Sequence, residues 1–460
     1  MPYGRLANHC SAGSFLQLGI LCRSTAGGPH REGLDRFARV REAGAAPGCC
    51  AGGMSAEPTR WRDIAITAYG PTILVAIGQG AILPLVALSA REVGASVGTA
   101  SFIVALIGLG QLVGDLPAGA LAGRIGEKRA LIAACFLDAV ALLGAFLATS
   151  VALLAVAITV TGVAGAVFGL ARQAYLTDAI PSRMRARALS TLGGTFRVGL
   201  FIGPFIAAVV VTRWNIGAAY AFAAVTNLAA AALTAFLPDV SLDHRTTAAK
   251  DRQHRSVVSV LLEHRRILLT LGLGILIISA ARATRQSIVP LWAQSIGLSA
   301  ATTSVIFGIA AGVDMLLFYP GGAIMDRFGR VYVAVPSMIV LGLGFCLLPL
   351  TSGATSVCLV AALMGLGNGI SSGVVLTLGA DASPTQDRAK FLGGWRVCSD
   401  LGNTAGPLVV SAVSALATLA AAAVTMGLLT WAGSAWLIKW VPVYAPARHR
   451  RHRRREAQES

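Results

Sequence analysis

A small set of ionisable residues stands inside long apolar runs: Asp115, Asp138, Arg197, Arg282, Arg285, Asp314, Arg396 and Asp400. A charge at such depth is costly and marks a site by default. Two chemistries suit these types. A buried carboxylate can take and release a proton, and a buried guanidinium can hold an anion or lock a carboxylate. Asp314 has no basic residue three or four positions away in its own run. It is therefore either a proton-coupling carboxylate or a lock to Arg285 or Arg197. Arg396 and Asp400 are four apart and neutralise each other if helical. Asp138 and Asp115 read as structural. Arg197 lies ten residues past Arg187, about 15 Å deep along a helix.

The elements that carry these residues follow from composition. The chain has 460 residues, 55% hydrophobic and 13% charged, against about 25% charged in soluble domains. Mean hydropathy is +0.69. Twelve apolar runs of spanning length follow residue 63, each long enough to cross a bilayer. In lipid the backbone must satisfy itself, so these are helices. The expected class is an all-α membrane protein of twelve transmembrane helices. A soluble helical core is excluded because the runs are apolar all round.

The net charge is +17, but its placement does not describe a nucleic-acid surface. Basic residues gather after the even-numbered runs, as at Arg124, Lys128 and Arg129, at Arg183, Arg185 and Arg187, and at Arg327 and Arg330. The opposite loops show Arg91 and Arg213. This asymmetry predicts both termini in the cytoplasm and a multi-pass plasma-membrane protein. The basic tail from Arg448 fits the same side as a lipid anchor. The cysteines lack metal spacing, so no metal site is expected. Residues 1–53 show no helical period. They are expected to be disordered, or absent if translation starts at Met54.

The chain repeats itself. A shift of 203 places Pro117 on Pro320, Gly126 on Gly329, Gly162 on Gly365, Asp178 on Asp381, Arg185 on Arg388 and Pro204 on Pro407. Arg197 then matches Asp400, and Asp314 matches Gln111; at a shift of 206 Arg285 matches Gln79. Two pseudo-symmetric six-helix bundles follow, over residues 59–238 and 267–441. An N-terminal extension (1–58), a polar linker (239–266) and a basic tail (442–460) complete the domain plan. Repeats of this kind place a substrate site at their interface near the midplane. Gln79, Gln111, Arg197, Arg282, Arg285, Asp314, Arg396 and Asp400, with Asp115, are the candidate pathway residues. Arg197, Arg285, Asp314 and Asp400 are expected to converge on one cavity.

Between runs stands "GGAIMDRFGR", with "AGALAGRIGEK" as its copy. The pattern resembles the Gly-x-x-x-Asp-Arg-x-Gly-Arg signature of the major facilitator superfamily, through Gly322, Asp326, Arg327, Gly329 and Arg330, and in the first half through Gly119, Gly123, Arg124 and Gly126. The first copy departs from the family by carrying Gly123 where an acid is usual. The resemblance covers residues 60–441. It implies a secondary transporter working by alternating access, in which Arg124 and Arg327 form a cytoplasmic gate with Asp178 and Asp381, the acids of two acid-x6-Arg elements ending at Arg185 and Arg388. The glycines would let the second helix of each half pack closely and turn sharply. Gly199, Gly203 and Pro204, repeated as Gly402, Gly406 and Pro407, resemble the bend motif of drug-exporting members. The fourth-helix arginine of drug–proton antiporters has no counterpart in "VALLAVAITVTGVAGAVFGLA".

The expected function is proton-coupled export of small hydrophobic or amphipathic compounds by a monomer in the lipid bilayer. The alternative is a symporter or facilitator for an organic anion or sugar, favoured by the deep arginines. An intramembrane enzyme is the remote third reading. "GISSG" (369–373) has a serine-nucleophile pattern, but it lies mid-helix, and all seven histidines fall outside the apolar runs. No phosphate-cradling Gly-x4-Gly-Lys motif is present, which argues against ATP drive, and no cofactor is expected.

Overall fold

The computed structural model describes residues 61–179, 184–236, 257–384 and 387–444. The readings of the N-terminal extension, most of the linker and most of the basic tail lie outside the described residues. Within them the secondary structure is helical throughout.

In the first bundle, α1 (Trp61–Ile82) continues after a turn as Val86–Glu92. α2 (Val97–Ile125), α3 (Glu127–Phe146), α4 (Val151–Ala179), α5 (Arg185–Arg213) and α6 (Ile216–Ala235) follow. A short helix (Val257–Glu263), a single turn (Arg265–Ile267) and a π-helical turn (Leu268–Gly272) lead into α7 (Leu273–Ser295). The second bundle continues with α8 (Ala300–Phe328), α9 (Val331–Leu347) and α10, built of Ala354–Ile370 and Val374–Ala382. α11 (Arg388–Leu416) and α12 (Leu419–Tyr444) complete it.

Ten of these elements are long and apolar enough to cross a bilayer, and the bent pair of α1 forms a further span with a 43° break. α11 is long enough at 29 residues. Its polar face, with Arg396, Asp400 and Asn403, keeps it out of the strictly apolar set. Twelve spans were expected. α11 explains the difference: it carries ionic work at the junction of the bundles rather than facing lipid all round.

Local chemistry repeats with the same offset. α2 runs from 97 to 125 and α8 from 300 to 328, both 203 residues apart. Ser96 caps α2 by accepting from the Thr99 amide at 3.1 Å, and Ser299 caps α8 by accepting from Thr302 at 3.1 Å. Both helices stop at a glycine with positive φ, Gly126 at 90° and Gly329 at 108°, a backbone that a Cβ would strain.

Tight packing within each bundle also repeats. A side chain on Gly162 would strike the carbonyl of Ile107, and one on Gly365 the carbonyl of Ala310, its repeat mate. Gly203 lies against the Ile77 carbonyl of α1, and Gly406 against the Ala280 carbonyl of α7. The motif of Gly199, Gly203, Gly402 and Gly406 thus brings α5 onto α1 and α11 onto α7, backbone to backbone. Both helices run unbroken through Pro204 and Pro407. The breaks fall elsewhere, in α1 around Pro84 and in α10 at 371–373. A Cβ on Gly119 or Gly322 would meet no described atom within 4 Å.

Candidate functional site

The bundles meet along two seams, α5 against α8 and α2 against α11. Among the described residues each seam holds one partly buried ion pair. At the first, Arg197 Nη1 donates to Asp314 Oδ1 at 2.6 Å, and Asn368 of α10 donates to Asp314 Oδ2 at 2.5 Å. The Arg197 guanidinium also lies over the Phe318 ring, 4.6 Å from its centre. At the second, Arg396 Nε donates to Asp115 Oδ2 at 2.8 Å, and Nη2 stands 2.7 Å from Oδ1.

Two expectations are corrected here. Asp314 is not an unpaired carboxylate. Its partners come from α5 and α10, which spacing along α8 cannot reveal. Of the two locks considered, Arg197 is the one formed. Arg396 does not chiefly neutralise Asp400, from which its Nε is 3.7 Å away. It turns across the seam to Asp115, where Nε makes the one hydrogen bond, to Oδ2, and Oδ1 is held by charge alone. Asp115 is thereby part of the inter-bundle machinery, and Asp400 Oδ2 is buried with no hydrogen-bond partner.

A cavity of about 510 Å³ opens between the bundles, within the range of small-molecule sites. Arg197, Asp314 and Arg285 line it among apolar walls such as Leu200, Phe307 and Phe318. Asp400 does not, so the expected convergence of four residues holds for three. Arg285 makes no ion pair among the described residues and lies 5.9 Å from the centre of the Phe307 ring. Arg282 faces the break in α10, where its Nη2 donates to the Ser371 carbonyl at 2.6 Å and to Ser371 Oγ at 2.9 Å. A carbonyl released by the break thus gains a charged donor. Ser371 Oγ donates in turn to Gly367 O at 3.0 Å. The "GISSG" serines are helix-break residues, with no nucleophilic arrangement around them.

Gln79 and Gln111 lie beside this cavity, lining a smaller one of about 190 Å³ with Gln286 and Asn403. The same two glutamines line a third chamber of about 150 Å³ inside the first bundle. That chamber contains Asp138 and Arg172. The reading of α4 as uncharged ended one residue too early. α4 extends to Ala179, and Arg172 lies in its last three turns. Asp138 faces the bundle interior, not its periphery.

At the end carrying Gly126 and Gly329, Arg330 rather than Arg327 holds Asp381, with Nε donating to Oδ2 at 2.8 Å. Arg327 instead lies over Phe328, 5.4 Å from the ring centre. α8 stops at Gly329, and the turn swings Arg330 toward α10 while Arg327 stays on the outer face. Asp326 and Arg327 are exposed and make no ion pair among the described residues; Arg124 and Arg388 are exposed as well. The side chains of Asp178 and Arg185 lie outside the described residues. Lys390 and Asp387 pair at 2.7 Å at the start of α11.

Two packed helical bundles, a shared cavity with charged groups set in apolar walls, and ion pairs across both seams fit a polytopic membrane transporter. Residues 72–407 and 271–460 give overlapping matches to the Major Facilitator Superfamily, and the chain belongs to that family. It is similar to the multidrug resistance protein MdtG of Salmonella choleraesuis (strain SC-B67), 25% identical over 65% of this chain and 74% of the relative. MdtG of Enterobacter lignolyticus (strain SCF1) is 24% identical over 65% of this chain and 71% of its own. Among solved structures, the nucleoside transporter NupG superposes with a TM-score of 0.65 at 14% identity, covering 82% of this chain and all of that one. A POT family transporter in complex with a thioalcohol-conjugated peptide gives 0.68 at 11% identity, covering 83% and 96%. A D-xylose–proton symporter gives 0.61 at 13%, covering 81% and 97%. The protein is a non-enzymatic, multi-pass membrane transporter of small molecules.

Proposed function

We propose that this transporter exports small hydrophobic or amphipathic compounds in exchange for protons. It would act as a monomer in the plasma membrane, with both termini cytoplasmic. The observation that carries the reading is the cavity of about 510 Å³, apolar in most of its wall, with the Arg197–Asp314 pair set into one side. Apolar walls bind by area removed from water and tolerate varied shapes. The pair supplies the coupling: a proton on Asp314 removes the charge that holds Arg197, loosening the α5–α8 seam. The likeness to MdtG supports this substrate class. The pair of Arg330 and Asp381 is the corresponding gate contact in this state.

A second reading rests on the cationic side of the same cavity. Arg285 has no ion pair among the described residues, so one acid, Asp314, stands against two arginines in the lining, Arg197 and Arg285, while Arg282 is engaged with the Ser371 carbonyl. That surplus favours a substrate with an anionic group, whether an amphipathic anion or an organic-acid metabolite.

Proteoliposomes holding a pH-sensitive dye separate these readings. Ethidium, 8-anilinonaphthalene-1-sulfonate and xylose would be added in turn under an imposed pH gradient. Proton movement with either amphipathic dye, lost in Asp314→Asn, supports the exporter. Silence with both dyes and flux with small organic acids or xylose supports the metabolite reading.

A further inference from the structure

The chamber inside the first bundle has its own chemistry. Asp138 reaches it from α3, Arg172 from α4, and Gln79 and Gln111 from α1 and α2. Asp138 Oδ1 is shielded from solvent and has no hydrogen-bond partner. Arg172 Nε and Nη1 are likewise buried and unpartnered. A buried carboxylate and a buried guanidinium normally close on each other. Here they share a chamber of about 150 Å³ and form no ion pair. Instead the guanidinium lies against two aromatic rings, 5.1 Å from the centre of Phe196 and 5.6 Å from that of Phe168. Thr161 and Asn227 stand beside the carboxyl.

Phe196 connects this chamber to transport. Its side chain lines the chamber, the cavity of Gln79 and Gln111, and the central cavity. It precedes Arg197, the α5 half of the seam pair. Phe196 thus borders both the chamber, where Arg172 lies against its ring, and the central cavity. Gln79 and Gln111 border both the chamber and the lateral cavity, giving water a polar passage between them.

We propose that Asp138 is a second proton-carrying site and that Arg172 is its movable counter-charge, transmitting the charge of Asp138 to the substrate cavity through Phe196. This rests on the proton-coupled reading above. The Asp138 carboxylate takes one proton from water that enters past Gln79 and Gln111 and becomes a neutral carboxylic acid. Arg172 then has no anion to draw it and rests on the Phe196 and Phe168 rings, the arrangement present here. When the proton returns to water, the carboxylate attracts Arg172 off the rings, and Phe196 is freed to move. The groups facing Asp138 fit this role. α1, α2 and α6 present the neutral side chains Gln79, Gln111 and Asn227, α4 presents Arg172 and Thr161, and the titratable neighbour on α3 is Cys135.

The test uses the full-length protein in proteoliposomes. Infrared difference spectra between wild type and Asp138→Asn are recorded across pH, without any substrate. Dye accumulation under a pH gradient and dye exchange without one are then measured with ethidium and 8-anilinonaphthalene-1-sulfonate. The expected result is a carboxylic-acid band that titrates in wild type and is missing from Asp138→Asn. Gradient-driven accumulation then falls about tenfold while exchange persists. Phe196→Ala should keep the band but lose the gradient dependence. A band that is the same in both proteins overturns the proposal, as does full gradient-driven accumulation in Asp138→Asn. Loss of exchange together with a lowered unfolding temperature also overturns it, by making Asp138 a structural group. If wild type itself moves no protons, the coupled reading fails and this one with it. If wild type is coupled and Asp138→Asn is equally so, only Asp138 loses its role.

Discussion

Arg197 on α5 and Asp314 on α8 meet at 2.6 Å across the seam between the two bundles, with little of either side chain exposed. Removing one member leaves the other charge buried, which is costlier than replacing both. Asp314→Ala should therefore lower stability by about 3–5 kcal/mol. The paired change Arg197→Met with Asp314→Leu should recover much of that loss while abolishing proton-coupled transport. Thermal unfolding of detergent-purified variants measures the first effect. A single variant as stable as wild type would show that the pair is open to water and not a lock.

Arg330 and Asp381 form the corresponding contact near the basic turns, but both side chains keep more surface. An exposed pair contributes about 0–1 kcal/mol. Asp381→Asn should change folding little and alter the rate of exchange, because it biases one state of the gate. Asp326→Asn should also slow turnover with insertion intact, since Asp326 is exposed and makes no ion pair among the described residues. Initial exchange rates normalised to membrane-inserted protein decide this, and rates equal to wild type in both variants would dismiss the gate.

The glycines divide into two groups. Gly203→Leu and Gly406→Leu should abolish correctly folded protein, since even a Cβ meets the carbonyls of Ile77 and Ala280. Gly119→Ala and Gly322→Ala should fold normally because their surroundings are open. Size-exclusion profiles of fluorescent fusions report both. Normal profiles for the leucine variants would mean that α5 and α11 stand farther from α1 and α7 than described here.

Arg285→Gln removes from the central cavity a charge that has no ion pair among the described residues. Transport of 8-anilinonaphthalene-1-sulfonate should fall by about tenfold, the equivalent of 1.4 kcal/mol, while ethidium transport is kept or improved. Equal loss for both dyes would assign Arg285 to structure rather than to substrate charge.

Much of the fold was legible in the sequence. Apolar length gave the helices, and the offset of 203 reappears in the bounds of α2 and α8 and in those of α5 and α11. Single side-chain partners were less legible. Arg396 has Asp400 one turn away, yet its Nε hydrogen-bonds Asp115 from another helix. Sequence neighbours compete with tertiary neighbours, and spacing reports the former alone. Arg172 was missed because the apolar run ends one residue before it, although α4 does not. A polar residue near the end of a span can still turn inward when the bundle leaves a chamber for it. The breaks of α1 and α10 had local signals, in Pro84 and in Ser371-Ser372-Gly373, but those are also compatible with intact spans.

The two seam pairs are not at equivalent heights. Arg396 corresponds in the repeat to Gly193, four residues nearer the start of its helix than Arg197, and Asp115 corresponds to Phe318, four residues nearer the end of its helix than Asp314. The Arg396–Asp115 pair thus sits one helical turn, about 6 Å, closer to the basic turns. A gap widening from either end reaches one clasp before the other. Opening from one end would meet the Arg396–Asp115 clasp first, and opening from the other the Arg197–Asp314 clasp. A symmetric scaffold thus carries its two clasps one helical turn apart in height, formed by residues that are not repeat mates.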